Sequence, residues 1–237
     1  MSISFGKHNM SLPTPLTILG SLEFWLRADQ GITIATGVSQ WNDLSGNNRH
    51  FTQGTAANQP LFVSNAINSL PAVRGDGSND VLSTTFARVA PGTQPFYIWL
   101  IMKQISWTSG KTIIGDYTTP DGFIVDQVSP TPNIRQYNTT GANSNSGAII
   151  GSYFRIEMQY TNSTSDYIKC GSVNVTGSNA GNDPGGGTMQ IFKGGINSGT
   201  HGNVEIAEIF LFLGTPTSDQ RADLDTYCTA RYGAGLV

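Results

Sequence analysis

The sequence predicts an all-β domain, a sandwich or barrel of short strands, that ends in one short helix. The chain has 237 residues, which is long enough for one large all-β domain with a substantial core. Its apolar residues fall into many short segments separated by Gly, Asn, Ser and Pro, as in strands joined by turns. One segment near the C-terminus instead repeats its apolar residues at helical spacing.

Residues 1–19 are predicted to form an extended N-terminal arm, and residues 20–237 a single domain. The first 17 residues show no apolar periodicity and include Pro13 and Pro15, which favour extended backbone. Such an arm either lies across a neighbouring subunit or frays as a free terminus. We find no internal repeat and no long linker in the rest of the chain.

Strands are predicted along most of the domain. Residues 22–27 (LEFWLR) alternate well enough to have one buried face. Residues 96–104 are apolar almost throughout, so we expect a central strand that is covered on both faces. The other predicted strands are 61–63, 72–74, 81–82, 112–114, 123–125, 153–160, 167–175, 189–192 and 204–213.

The C-terminal helix has clear start and stop signals. Residues 217–220 (TSDQ) have the form of a capping box. Leu224, Tyr227 and Cys228 then form an apolar stripe, and Gly233 is suited to the C-cap. We therefore expect this helix to pack on the β-structure.

Charge and composition limit the classes of partner. Charged residues make up 12% of the chain, about half the ~25% of an average soluble domain. The net charge is −3, and the basic residues are scattered singly, which argues against nucleic-acid binding. No apolar segment approaches the ~20 residues of a membrane helix, and the N-terminus lacks a signal-peptide pattern. We expect a virion or extracellular protein. Either its signal peptide was removed, or the protein leaves the cell by another export route or by lysis.

The chain contains two cysteines, Cys170 and Cys228, which could form at most one bridge. Two reduced, buried thiols are favoured over a disulfide.

Three longer stretches share a pattern with known domains. They are LEFWLRADQGI and VSQWNDLSGNNRHFTQ within residues 22–53, NQPLFVSNAINSLPAVRGDGSNDVLS at 58–83, and EIAEIFLFLGTPTSDQRADLDTYCTARYG at 205–233. Their order and spacing resemble the bacterial and phage domains of the concanavalin A-like, laminin-G-like jelly-roll superfamily. The resemblance implies an antiparallel two-sheet jelly-roll sandwich with a short C-terminal helix. Residues 110–202 match only as generic strands.

Several residues in these stretches are expected to maintain the fold. Trp25 and Trp41 are large enough to anchor the two sheets against each other. The remaining four are expected to build turns: Asp43, Gly46, Gly77 and Asp80. Related domains usually carry an aromatic residue where Gly75 stands. This superfold hosts lectins, glycan-cleaving enzymes, adhesion modules and virion proteins, so the resemblance does not fix the function.

The acidic residues do not form a recognisable catalytic set. Glycoside hydrolysis needs two carboxylates that flank the scissile bond, and glycosidases with this jelly roll commonly carry E-x-D-x-E on one strand. This pattern is absent. Glu205 and Glu208 are three residues apart, so on a regular strand they point to opposite faces. Motifs of serine hydrolases, zinc proteases and zinc ribbons are also absent, and we predict that the protein is not an enzyme.

Calcium is the one cofactor for which the sequence offers candidate ligands. Asp76, Ser78 and Asp80 alternate oxygen-bearing side chains within a turn-rich stretch. Asp and Asn in turns more often bind the local backbone, so the alternative is a turn without metal.

Sugar binding would use exposed aromatic rings together with polar side chains. Trp107, Tyr117 and Tyr137 border predicted loops, and His201 precedes the last strand, so these four are the candidate ligand-binding residues. Ordinary sheet packing for the aromatic residues and a solvent-exposed loop position for His201 are the alternatives.

Three functions follow from these expectations. The first is a structural or adhesive protein on a particle surface, such as a tailed-phage decoration, head-fibre or tail protein. The second is a free carbohydrate-binding module, and the third is a glycan-cleaving enzyme. For the first, the expected partners are other virion or surface subunits, including further copies of this chain in a homo-oligomer. Host glycans are a further expected ligand.

Overall fold

The computed structural model describes residues 12–87, 95–116, 123–138, 141–161, 166–177, 188–194 and 200–236, with backbone alone at 87, 123–124, 137–138 and 141–143. A 3₁₀ helix at Ala56–Asn58 lies between the fourth and fifth strands. The other elements, in chain order, are α1 Pro15–Leu19, β1 Phe24–Arg27, β2 Ile32–Ile34, β3 Val38–Trp41, β4 Phe51–Thr52, β5 Leu61–Ile67, β6 Leu70–Arg74, β7 Leu82–Ala87, β8 Phe96–Gln104, β9 Thr112–Gly115, β10 Phe123–Gln127, β11 Ile134–Asn138, β12 Gly141–Asn145, β13 Tyr153–Tyr160, β14 Asp166–Cys170, β15 Val173–Gly177, β16 Thr188–Ile191, β17 Val204–Leu213 and α2 Ser218–Tyr232.

The strands form two antiparallel sheets. The first sheet has the order β15-β14-β13-β8-β17-β6-β5, and β1 pairs with β17 beside β6. The second sheet has the order β12-β11-β10-β9-β16-β7-β4-β3-β2. The predicted all-β, two-sheet sandwich with a short C-terminal helix is thereby confirmed.

The main core lies between the two sheets. Strand β8 is central in the first sheet, and all of its residues except Lys103 are buried, as its apolar sequence predicted. Trp41 and Phe51 contribute fully buried rings from the second sheet. Fully burying a large apolar side chain contributes roughly 1.5–3 kcal/mol, so this interior supplies most of the driving force for folding.

A second apolar layer covers the outer face of the first sheet. Helix α2 begins at a capping box between Thr217 and Gln220 and ends at Gly233, as predicted. Its buried side chains are Leu224, Tyr227, Cys228 and Tyr232. They pack on the strands, where the rings of Trp99 and Phe210 are stacked 5.3 Å apart.

A β-bulge in β17 corrects one prediction. The register against β8 shifts between Ile206 and Glu208, so two consecutive residues, Ala207 and Glu208, both face outward. Ile206 and Ile209 remain in the core between the sheets. Glu205 and Glu208 therefore lie on the same face of the sheet, and not on opposite faces as strict alternation predicted.

The bulge places the Glu208 carboxylate under helix α2, where it is fully buried. Trp25 Nε1 donates to Oε1 at 2.6 Å, and Tyr227 Oη donates to both oxygens at 2.8 and 2.9 Å. Tyr232 Oη donates to Oε2 at 2.5 Å, and Arg231 Nε lies 3.4 Å from the same oxygen. Burial raises the pKa of Glu208, and these donors oppose that effect. The carboxylate thus joins the sheet to the helix.

Two other local predictions differ from the structure. Trp25 packs in the outer layer and not between the sheets, because its neighbours Phe24 and Leu26 face the inner core. Pro15–Leu19, expected to be extended, forms a helical turn that starts at the capping residue Thr14. Proline is tolerated at the first position of a helix, where its missing N–H would have no partner. The proposed boundary of the arm stays a prediction, since residues 1–11 lie outside the described residues.

Cys170 and Cys228 are both free and buried, as favoured from the sequence. Cys170 belongs to the core between the sheets and Cys228 to the layer under α2. The two thiols therefore lie on opposite sides of the first sheet.

At Gly75 the structure explains the missing aromatic side chain. A Cβ atom at this position would lie 2.7 Å from the ring of Phe192 and 2.8 Å from the carbonyl oxygen of Gly202. Phe192 is fully buried in the inner core. Its ring fills the space beside Gly75, so a side chain there has no room.

Glu208→Ala is expected to lower the free energy of unfolding by about 3–5 kcal/mol, because it leaves the hydrogen-bond donors around this carboxylate without an acceptor. Chemical denaturation measures the loss, and hydrogen exchange should show reduced protection in α2. Asp223→Asn, at an exposed position on the same helix, is the control and should be near neutral. A loss below about 1 kcal/mol for Glu208→Ala would contradict the role assigned to this carboxylate.

Gly75→Ala is expected to destabilise the fold by about 1–3 kcal/mol, because the added methyl group overlaps the Phe192 ring. Gly54→Ala is the matched control, since a Cβ at Gly54 meets nothing within 4 Å. Thermal unfolding of both variants tests this, and equal melting temperatures would show that the Phe192 ring yields at little cost.

Candidate functional site

A polar concavity lies on the outer face of the first sheet, beside helix α2. This outer groove has a volume of about 460 Å³. Its lining residues come from β13, β14, β15 and α2, and they are Glu157, Tyr167, Lys169, Asn174, Arg221 and Asp225.

Cross-strand register places the groove side chains next to one another. Glu157 on β13 is paired with Lys169 on β14, which in turn is paired with Asn174 on β15. Tyr167 lies two residues before Lys169 and therefore on the same face. Regular strands hold this row, so its geometry is largely set before any ligand binds.

Glu157 is the electrostatic centre of the groove. Its carboxylate accepts a hydrogen bond from Tyr97 Oη at 2.8 Å and lies 2.7 Å from Arg155 Nη2. Lys169 Nζ lies 3.3 Å from Oε1, and Arg221 Nη1 lies 4.0 Å from Oε2. Burial and the Glu157 charge raise the pKa of Tyr97 well above its usual value, so Tyr97 stays a donor. The carboxylate is thus surrounded by donors and cations.

Arg155 forms the floor of this charge cluster. Its side chain is 1% exposed and makes ion pairs with both Glu157 and Asp225. The Asp225 side chain is 46% exposed at the rim. A buried guanidinium is stable only when it is paired, and here both partners belong to the groove.

Arg221 and Tyr167 form the aromatic side of the groove. The Arg221 guanidinium lies 5.0 Å from the centre of the Tyr167 ring and 5.3 Å from that of Tyr97. Its Nη2 also donates to Gln159 Oε1 at 3.3 Å. These contacts hold Arg221 in place while 26% of its side chain remains exposed.

Another, smaller cavity contains three of the residues singled out from the sequence: Asp76, Gly77 and His201. This loop cavity has a volume of about 80 Å³ and is lined by Asp76, Gly77, Ser106, Thr108, Lys111, Gln127, His201 and Asn203. His201 is only 8% exposed, and its Nδ1 has no hydrogen-bond partner among the described residues. Burial and the charges of Lys193 and Lys111 lower the pKa of His201, so the ring is neutral at neutral pH.

Trp107, the one aromatic candidate whose side chain the structure describes, does not line the outer groove. Trp107 is half-buried, and its Nε1 donates to the carbonyl oxygen of Asn133 at 3.2 Å. Its chain neighbours Ser106 and Thr108 line the loop cavity. Tyr117 and the side chain of Tyr137 lie outside the described residues.

The proposed calcium ligands serve their own loop. Asp76 Oδ1 accepts hydrogen bonds from the backbone N–H groups of Ser78, Asn79 and Asp80, and Asp80 Oδ2 accepts one from Asp76 N. Lys111 Nζ donates to the Gly77 carbonyl oxygen at 3.1 Å. Among the described residues no group of three His, Cys, Asp or Glu side chains could hold a metal ion. The carboxylates of Asp76 and Asp80 therefore bind the backbone of their own loop, and a calcium site there stays a prediction.

Asp43 organises a turn in the same manner. Its carboxylate accepts hydrogen bonds from the backbone N–H groups of Trp25, Ser45 and Arg49 and from the Ser45 hydroxyl. Gly46 has a φ of 94°, and Gly77 in the other turn has a φ of 79°. Glycine adopts such angles without the steric cost of a Cβ.

The outer groove was not found from the sequence. One signal was present, since residues 153–160 (YFRIEMQY) alternate polar and apolar side chains, which indicates a strand with a polar face. Periodicity does not show that this face meets Arg221 and Asp225 from a helix about 65 residues further along the chain, because only tertiary packing brings them together.

These features define the chain as an all-β, two-sheet sandwich domain with a polar groove on one outer face. No protein-family model and no curated protein matches the sequence. Among the described residues, neither helix has the length and apolar character that a membrane span requires.

Solved structures with the same architecture share little sequence with the chain. Domain 4 of AbnA, an extracellular arabinanase from Geobacillus stearothermophilus, in complex with arabinotriose, gives a TM-score of 0.59 at 15% identity and covers 86% of this chain and 98% of that one. Trypanosoma rangeli sialidase in complex with sialic acid gives a TM-score of 0.61 at 12% identity and covers 94% of this chain and 35% of the sialidase. The botulinum neurotoxin serotype G binding domain gives a TM-score of 0.64 at 14% identity and covers 89% of this chain and 52% of the toxin domain. The chain thus spans about a third of the sialidase and half of the toxin domain, and at these identities the likeness shows the fold alone.

Asp80→Asn is expected to stabilise the protein near neutral pH. Burial and the nearby Asp76 carboxylate raise the pKa of Asp80 to about 6. This value is above the ~3.9 of an unfolded aspartate. The contribution of Asp80 to the free energy of unfolding is therefore fully present below about pH 4 and is lost as pH rises through 6. The uncharged asparagine amide of the variant avoids this loss, so the free energy of unfolding at neutral pH should rise by up to about 3 kcal/mol.

Denaturation curves at about pH 4 and pH 7.5 test the Asp80 prediction. The free energies of unfolding of the variant and the parent should converge at the lower pH. An equal gain in stability at both pH values would contradict the prediction. Asp76→Asn should instead lower the free energy of unfolding near neutral pH. Hydrogen bonds from three backbone amides outweigh burial and lower the pKa of Asp76.

Proposed function

We propose that this chain is a non-enzymatic carbohydrate-binding β-sandwich whose ligand site is the outer groove. One observation carries the proposal: an aromatic ring, an amide and charged side chains converge on one preformed concavity. Its volume of about 460 Å³ falls in the ~300–1,000 Å³ range of small-molecule sites. A ring flanked by polar groups suits a sugar, which has apolar C–H faces and a rim of hydroxyls.

The arrangement of the groove side chains favours binding. Tyr167 supplies a half-buried ring, and Asn174 is exposed on the neighbouring strand with an amide that both donates and accepts. Because the strands fix the backbone positions of both residues, little backbone entropy is lost when a ligand is bound. The structural neighbours include an arabinanase domain in complex with arabinotriose, which supports this choice of ligand class.

The state of the carboxylates supports a non-enzymatic role. Glycosidases need one carboxyl group as an acid and a second as a nucleophile or base. Glu157 accepts from Tyr97 and pairs with Arg155 and Lys169, while Asp225 pairs with Arg155. Both groove carboxylates thus serve as ion-pair partners of neighbouring side chains. Release of reducing ends from glycans incubated with the pure protein would overturn this part of the proposal.

We further propose that the domain works on the surface of a particle, such as a tailed-phage virion, as a decoration, head-fibre or tail subunit. The low fraction of charged residues supports this context, since a surface solvated by hydroxyls and amides suits dense assembly. The protein would then be a virion or extracellular component, assembled with other subunits and with copies of itself. Mass spectrometry of purified particles tests it, and absence of the chain from the particles would remove the proposal.

Tyr167→Ala is expected to weaken glycan binding at least tenfold, because the stacking ring is lost. Tyr167→Phe keeps the ring and should retain binding, so it serves as the matched control. Binding is measured on an array of neutral and acidic glycans and then by calorimetry with the best ligand. If no glycan binds, or if Tyr167→Ala binds as tightly as the parent, the groove is not a carbohydrate site.

A further inference from the structure

The charges in the outer groove and directly beneath it do not cancel. Three cations meet two carboxylates: Arg155, Lys169 and Arg221 against Glu157 and Asp225. The whole chain has a net charge of −3, so this local excess of one positive charge is opposite in sign to the net charge of the protein. We infer that the groove selects sugars that carry a carboxylate, such as uronic or sialic acids, an inference that rests on the proposed carbohydrate-binding function.

The unbalanced charge lies where a ligand can reach it. Arg155 is buried beneath the groove and is paired with both carboxylates. The side chains of Lys169 and Arg221 are 27% and 26% exposed. The positive charge left over is therefore shared by two cations that face the open groove.

Of these two cations, Arg221 is the less neutralised. Among the described residues its nearest carboxylate oxygen, on Glu157, is 4.0 Å away, at the outer limit of an ion pair. Its other polar partners are neutral, namely the Pro216 carbonyl oxygen and Gln159 Oε1, each at 3.3 Å. A guanidinium offers paired N–H donors in one plane, which match the two oxygens of a carboxylate.

The position of Arg221 is also fixed in advance. The rings of Tyr97 and Tyr167 lie 5.3 and 5.0 Å from its guanidinium carbon. A carboxylate ligand would thus meet a cation that is already oriented, beside the ring on which a sugar would stack. A neutral sugar would gain the stacking contact but would leave the excess charge unpaired, whereas an acidic sugar would satisfy both.

The test compares each acidic oligosaccharide with a neutral form of itself. Oligomers of galacturonate, mannuronate and sialate are measured by calorimetry beside the same oligomers after chemical reduction of their carboxyl groups to alcohols. For at least one pair we expect the acid to bind at least tenfold more tightly at low salt. The gap should narrow at about 0.5 M salt, because ions screen partly exposed charges.

Charge variants locate the effect. Lys169→Gln and Arg221→Gln should each reduce the ratio of acid to reduced-sugar affinity several-fold. Lys193→Gln removes the same charge at a position outside the groove and should leave the preference intact. Circular dichroism and melting temperature confirm that each variant is folded before binding is compared.

The outcomes separate this inference from the proposed function. If acid and reduced forms bind equally and Tyr167→Ala weakens both, the groove binds sugars but the acidic preference is wrong. If a sulfated oligosaccharide binds and no carboxylated one does, the inference is also wrong. If neither acidic nor neutral sugars bind, the proposed function fails along with it.

Discussion

The outer groove depends on one buried carboxylate. Glu208 accepts hydrogen bonds from Trp25 on β1 and from Tyr227 and Tyr232 on α2. This set of contacts fixes the helix on the sheet. The same helix carries Arg221 and Asp225 into the groove, so the groove exists only while α2 is held in this position. A hydrogen-bonded anion in a low-dielectric site resists displacement, because its donors would be left unpaired.

The β-bulge at Ala207 makes this arrangement possible. Without the extra residue, Glu208 would point between the sheets, where an unpaired charge is prohibitively costly. With it, both Glu205 and Glu208 face outward. Glu205 pairs there with Lys103 at 2.6 Å and accepts from Tyr153 Oη at 2.5 Å. Burial would raise the pKa of Glu205, but these partners and Arg74 lower it. A chain with few charges thus places several of them on one face of one sheet.

Several parts of the fold could be predicted because their causes are local. The capping box at Thr217 and the C-cap at Gly233 follow from short-range hydrogen bonding. The central position of Phe96–Gln104 follows from its continuous apolar sequence. The bulge in β17 could not be predicted in this way, since alternation assumes a regular strand. Nor could the apolar layer that covers Trp25 on the outer face, since it depends on a helix nearly 200 residues further along the chain.

The sequence by itself determined the all-β class, the succession of short strands and the C-terminal helix, and it favoured two free cysteines. Each follows from periodicity, turn chemistry or residue type, which act over a few neighbouring residues. Only the tertiary structure decided that Glu157, Tyr167, Lys169, Asn174, Arg221 and Asp225 share one groove. Their proximity depends on strand order, on a one-residue shift in register and on helix docking, and these are set by the packing of the whole core.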